Sequence, residues 1–132
     1  MTGVADTRLL FFMEVPPTIE MGRKARDFFE KELRENLLVP TVVLAEFIEI
    51  AGARIGEEAA KTRIRLLKER GMQIMQFDEQ HALKTGSLLH ANRNVPLADV
   101  IIASYVKTGE ADYVISDDPH YKILNTKTKW MP

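Results

Sequence analysis

Four acidic residues stand in surroundings where a carboxylate needs a reason. Asp6 follows a short apolar run, Gly3-Val4-Ala5. Glu46 lies inside Val42-Val43-Leu44-Ala45-Glu46-Phe47-Ile48. Asp99 lies inside Pro96-Leu97-Ala98-Asp99-Val100-Ile101-Ile102-Ala103. Asp118 closes Ile115-Ser116-Asp117-Asp118 ahead of Pro119, with Asp117 beside it. Burying a carboxylate without a partner is costly, and carboxylates forced together repel and raise one another's pKa. A divalent cation removes that penalty. With no cysteine in the chain and no paired-histidine spacing, an oxygen-rich set suits Mg²⁺ or Mn²⁺ rather than Zn²⁺. The chemistry natural to such a site is phosphoryl transfer or phosphodiester hydrolysis.

Each acid also has an ordinary structural explanation. Asp6 can cap the helix that starts at Thr7. Asp99 sits where a carboxylate complements a helix dipole. Asp118 before Pro119 suits a helix start. Glu46 can sit on a rim beside Glu49. Glu46 is the hardest to explain this way, and the four acids taken together point to a shared site.

The elements that would position these acids alternate between strand and helix. A strand is expected to end at Gly3–Ala5, followed by a short helix from Thr7 to Met13, closed before Pro16-Pro17. Apolar residues Met21, Ala25, Phe28, Phe29, Leu33 and Leu37 recur at helical spacing and predict a helix over Glu20–Leu37. Further helices are expected from Pro40-Thr41 to Ala53 and from Glu57 to Arg70. A strand follows over Met72–Phe77. Asp78 caps a helix to Asn92, and another runs from Leu97 to Lys107. A strand at Tyr113-Val114-Ile115, a short helix through Leu124 and an edge strand over Thr128–Met131 complete the chain. This is an α/β pattern with a central, mostly parallel sheet covered by helices on both faces, in one domain over residues 1–132. Ligands of such sheets bind beyond the carboxyl ends of the strands, at the point where strand order reverses.

Composition narrows the functions. The chain has 132 residues, 45% hydrophobic and 28% charged, with a formal net charge of −1. A generally basic nucleic-acid coat is excluded, so a polyanion would be held locally or through a metal. No segment has the length of a membrane helix or a signal-peptide core, and the expected setting is soluble and cytoplasmic. No glycine-rich phosphate loop with Lys-Ser/Thr is present. A receiver-like signalling domain is the alternative small α/β fold with an acidic pocket, but Asp6 lacks the acidic neighbour such a pocket uses.

Asp6-Thr7 with Leu9-Leu10, Leu44-Ala45-Glu46, Leu97-Ala98-Asp99 with its apolar continuation, and Val114-Ile115-Ser116-Asp117-Asp118 with Tyr121 occur in that order. In this the chain resembles the PIN-domain ribonucleases, most closely the VapC-type toxins of toxin–antitoxin pairs. The resemblance covers essentially the whole chain, with a first strand shorter than usual. It implies a three-layer α/β/α fold and a Mg²⁺- or Mn²⁺-dependent endoribonuclease that leaves 5′-phosphate and 3′-hydroxyl ends. Asp6, Glu46, Asp99 and Asp118 would be the catalytic acids. Asp6, Asp99 and Asp118 would hold the metal, with Asp117 substituting or assisting, and Glu46 would orient a water or complete a second metal site. Thr7 and Ser116 would fix the carboxylates by hydrogen bonds, and Arg8 would meet an RNA phosphate or an antitoxin carboxylate. Implied partners are RNA, a small VapB-type antitoxin and a second copy of the chain, met through the Glu20–Leu37 and Pro40–Ala53 helices. A catalytically silent PIN-like binding module is the competing reading.

Other residues read as structural. Phe28, Phe29, Met72 and Met75 have core-like spacing. His81, His90 and His120 lack metal-pair spacing, although His120 stands close to Asp118. Lys61, Arg63, Arg65, Lys68 and Arg70 read as a solvated helix face rather than an RNA-binding stripe.

Overall fold

The computed structural model describes residues 1–132. Five strands and seven helices alternate as β1 (Gly3–Ala5), α1 (Thr7–Glu14), α2 (Ile19–Glu35), β2 (Leu37–Pro40), α3 (Thr41–Ile55), α4 (Glu57–Glu69), β3 (Gln73–Met75), α5 (Glu79–Ala91), α6 (Leu97–Lys107), β4 (Tyr113–Ile115), α7 (His120–Ile123) and β5 (Thr128–Lys129). The strands form one sheet in the order β3-β2-β1-β4-β5. Every neighbouring pair is parallel. Parallel neighbours need a crossover between them, and the helices supply it.

Successive strand residues face opposite sides of a sheet. All three residues of β1, all four of β2 and all three of β4 are buried. Helices therefore cover both faces, as the sequence predicts. The core is one cluster of 30 buried apolar residues. Phe28, Phe29 and Met72 belong to it and Met75 packs against it.

The expected helix over Glu20–Leu37 is corrected. The helix ends at Glu35, and Leu37-Leu38-Val39-Pro40 is a strand. Leu37 continues the helical spacing from Leu33, which hides the boundary. The strand forms because Leu37 and Leu38 register against Gly3 and Val4 of β1, while Leu38, Val39 and Pro40 register against β3. A four-residue run buried on both faces has no alternation to reveal it. Pro40 at its end also serves as the residue before α3.

Helix starts follow local chemistry. The Thr18 hydroxyl accepts from the Met21 N–H at 3.0 Å and opens α2. Asp78 accepts from the His81 N–H at 3.0 Å and opens α5 as the sequence suggests. His81 is buried between Asp78 and Glu110 and stacks on the Tyr105 ring with centroids 4.2 Å apart. That packing matches its structural reading.

Gly3 marks a close approach at the sheet centre. A Cβ there would stand 2.8 Å from Tyr113 Cε2 and 2.9 Å from Ile115 Cδ1. Both belong to β4, whose three residues are buried. Gly3→Ala is expected to destabilise the protein by about 1–3 kcal/mol through overpacking, read as a lower urea midpoint with an unchanged slope.

Candidate active site

Strand β1 runs between β2 and β4, so chain order reverses beside it. The carboxyl ends of β1 and β4 open onto the same edge. Asp6 leaves β1 there, and its N–H donates to the Ile115 carbonyl at 3.2 Å. Ser116, Asp117 and Asp118 leave β4 beside it. Asp99 comes from the first turn of α6 and Glu46 from α3.

A chain of hydrogen bonds links these acids. The Asp118 N–H donates to Ser116 Oγ at 3.0 Å, and the Ser116 hydroxyl donates to Asp6 Oδ2 at 2.7 Å. Asp6 Oδ1 accepts from the Thr7 N–H at 2.6 Å, and the Thr7 hydroxyl donates to Glu46 Oε1 at 2.6 Å. Thr7 and Ser116 are themselves buried. They hold the carboxylates of Asp6 and Glu46 and the backbone of Asp118. Asp6 does cap α1, so its structural role and its place in the cluster hold together.

The fourth acid, Asp99, joins the group through a histidine. His120 Nδ1 stands 2.8 Å from Asp99 Oδ2 and 2.9 Å from Asp118 Oδ1. Asp118 Oδ1 also accepts from the His120 N–H at 2.9 Å and holds the start of α7. One ligand atom each from Asp99, Asp118 and His120 lie within 4.8 Å of one another. His120 was not singled out by its spacing. The usable signal is its position two residues after Asp118, at a helix start next to the Tyr121 that completes the motif.

Asp117 does not join this group. It is exposed and pairs with Arg8 Nε at 3.1 Å. Arg8 in turn lies over the Phe12 ring, 5.4 Å from its centroid. Arg8 and Asp117 thus form a rim to the site. Three of the basic residues along and just after α4 are paired locally: Arg63 holds Glu14 at 2.9 Å, Lys61 holds Glu57 at 2.9 Å, and Arg70 meets Glu30. Arg65 donates to Thr62 Oγ1 at 3.1 Å.

Electrostatics record the crowding. Burial pushes the Asp6 carboxyl up from 3.8 to about 6, with Asp99 and Glu46 adding to the rise and Ser116 opposing it. Asp99 is raised by burial, and further by Asp118 and Glu46, against the His120 contact. The Tyr121 phenol is raised by burial and by the charges of Asp6, Asp99 and Asp118. Its hydroxyl is fully buried beside the Asp6 carboxylate. Carboxylates gathered this closely, with ligand atoms of Asp99 and Asp118 within 4.8 Å of each other, fit a divalent cation.

Fold and site together define a parallel α/β domain that gathers acids at its switch point. The chain belongs to the PIN-domain family, whose pattern matches residues 19–125. That stretch contains Glu46, Asp99 and Asp118 and begins after Asp6. No curated protein matches the sequence. Among solved structures, the chain resembles VapBC2 from Rickettsia felis bound to a promoter DNA fragment, with 16% identity, TM-score 0.77 and 100% coverage of both chains. It also resembles DNA-bound VapBC from Salmonella typhimurium, with 17% identity, TM-score 0.76 and 98% coverage of both. The third is VapC20 from Mycobacterium tuberculosis, described as a toxin that cleaves the sarcin-ricin loop, with 13% identity, TM-score 0.76 and 96% coverage of both. No helix is long and apolar enough to cross a membrane.

The Asp6 shift carries a stability consequence. The folded state binds the Asp6 proton more tightly than the unfolded chain, so this group's contribution to stability falls as pH rises from about 3.8 to about 6. The cost at neutral pH is on the order of 3 kcal/mol. In the absence of divalent metal, Asp6→Asn is expected to raise the thermal unfolding midpoint at pH 7.5. The gain should shrink as pH falls toward 4, followed by circular dichroism.

Proposed function

We propose that this chain is a metal-dependent endoribonuclease and the toxin member of a VapBC-type pair. The observation that carries the reading is the cluster of Asp6, Glu46, Asp99 and Asp118 at the switch point of a PIN domain. The description of VapC20 as a toxin that cleaves the sarcin-ricin loop supports the reaction. The VapBC pairs among the similar structures support an antitoxin partner.

Asp6, Asp99 and Asp118 would hold Mg²⁺ or Mn²⁺ over the strand ends. The bound ion would lower the pKa of a water and neutralise charge on the scissile phosphate. The chain's own groups would set the geometry. Ser116 and the Thr7 N–H keep the Asp6 carboxylate oriented, which leaves its charge directed at the cluster. Glu46, tethered by the Thr7 hydroxyl through Oε1, keeps Oε2 free to accept a proton from an attacking water. Arg8, half-exposed at the rim, offers a guanidinium to a flanking RNA phosphate or to an antitoxin carboxylate, in either case exchanging it for Asp117. Asp117 belongs to this rim in the proposed mechanism rather than to the metal. A second copy would dock through α2 and α3, where Ile19 and Ile50 are exposed. Action on RNA sets the protein in the cytoplasm.

The test uses purified protein with structured and unstructured RNA in Mg²⁺, Mn²⁺ or EDTA. Cleavage is expected with either metal and none with EDTA. Asp99→Asn and Asp118→Asn should each lower the rate at least about 100-fold while circular dichroism stays native. Cleavage that is equal in EDTA and in both variants would sink the assignment. Metal binding without cleavage of any RNA would favour a silent binding module.

A further inference from the structure

The acids of the site come with a nitrogen donor. His120 Nδ1 is 2.8 Å from Asp99 Oδ2 and 2.9 Å from Asp118 Oδ1. In an octahedron with bonds of about 2.1 Å, adjacent ligand atoms lie roughly 3.0 Å apart. Each carboxylate oxygen therefore sits at about that spacing from Nδ1, and all three atoms lie within 4.8 Å of one another. Nδ1 stands between the two carboxylate oxygens.

The ring has little freedom to leave. Its backbone N–H is held by Asp118 Oδ1 at 2.9 Å. The next residue, Tyr121, is fully buried, and its hydroxyl lies among the charges of Asp6, Asp99 and Asp118. The His120 ring is about one-third exposed.

We propose that His120 is a metal ligand alongside Asp99 and Asp118, and that it biases the site toward Mn²⁺ over Mg²⁺. This rests on the nuclease reading and adds to it the identity of the ion. Mg²⁺ prefers oxygen and parts reluctantly with water, whereas Mn²⁺ stands on the transition-metal series in which imidazole is a competent ligand. Replacing the imidazole with an oxygen donor removes the Mn²⁺ advantage and leaves the carboxylates for either ion.

The test is Mn²⁺ electron spin-echo spectroscopy on the wild-type chain, on the chain carrying ¹⁵N-histidine, and on His120→Asn. Titrations of Mn²⁺ and Mg²⁺ by calorimetry accompany it. Bound Mn²⁺ should show a directly coordinated ¹⁴N modulation that changes with ¹⁵N-histidine and disappears in His120→Asn. The Mn²⁺-to-Mg²⁺ affinity ratio should fall about tenfold or more in that variant. Mn²⁺ bound without nitrogen modulation, or equal losses for both ions, would overturn the role of His120 and leave the nuclease reading intact. Failure of the wild-type chain to bind either ion would overturn both.

Discussion

Mutual repulsion among carboxylates is the constraint around which this molecule is organised. Asp6, Glu46, Asp99 and Asp118 come from four separate segments, and each would move apart if its backbone allowed. Burial adds to the cost, most visibly at Asp6. The fold must hold the acids in place against that force. It does so with a sheet whose central strands are buried on both faces and with side chains that donate to the carboxylates. Thr7 and Ser116 are small and buried, and they spend their hydroxyls on Glu46 and Asp6. The same residues that begin α1 and end β4 thus resist the repulsion. Strain of this kind is common at functional sites and is supported by the rest of the structure.

Support also comes from features far from the acids. The Lys129 ammonium meets the buried Glu32 at 2.9 Å, and the Tyr113 hydroxyl donates to the same carboxylate. This contact ties β5 and β4 to α2 on the side of the sheet where strands are shortest. His81 performs a similar task on α5, with Glu110 beyond the end of α6. In the first, a carboxylate is buried with partners, and removing Lys129 would leave that charge in a dry environment. These links make the ends of the elements definite without entering the site.

Much of this arrangement is readable in the residues. Asp6 follows β1, Asp99 follows Pro96 in a run of apolar residues, and Ser116-x-Asp118 follows β4, so burial and helix-start chemistry mark all three. Glu46 is marked by the apolar helix around it. What escapes is of two kinds. Strand β2 is buried on both faces, and its Leu37 lies in step with the helix before it, so periodicity conceals the boundary. The place of His120 depends on a turn that brings its ring back between acids from α6 and the end of β4. A single histidine has no periodic signature, and its meaning appears only once Asp99 has been placed across from it. Asp117 shows the converse. It sits beside Asp118 in sequence, yet the turn sends the two carboxylates to different partners.

The sheet also has consequences at its margins. Strand β3 has three residues and β5 has two, and both form its edges. An edge this brief exposes few unpaired backbone groups, so another chain finds little on which to add a strand. Sheet-to-sheet extension and the fibrous assemblies that grow from it are thereby disfavoured by architecture alone. Association must be written into helix surfaces and side-chain pairs, which can be tuned one residue at a time while the acid-bearing centre is left untouched.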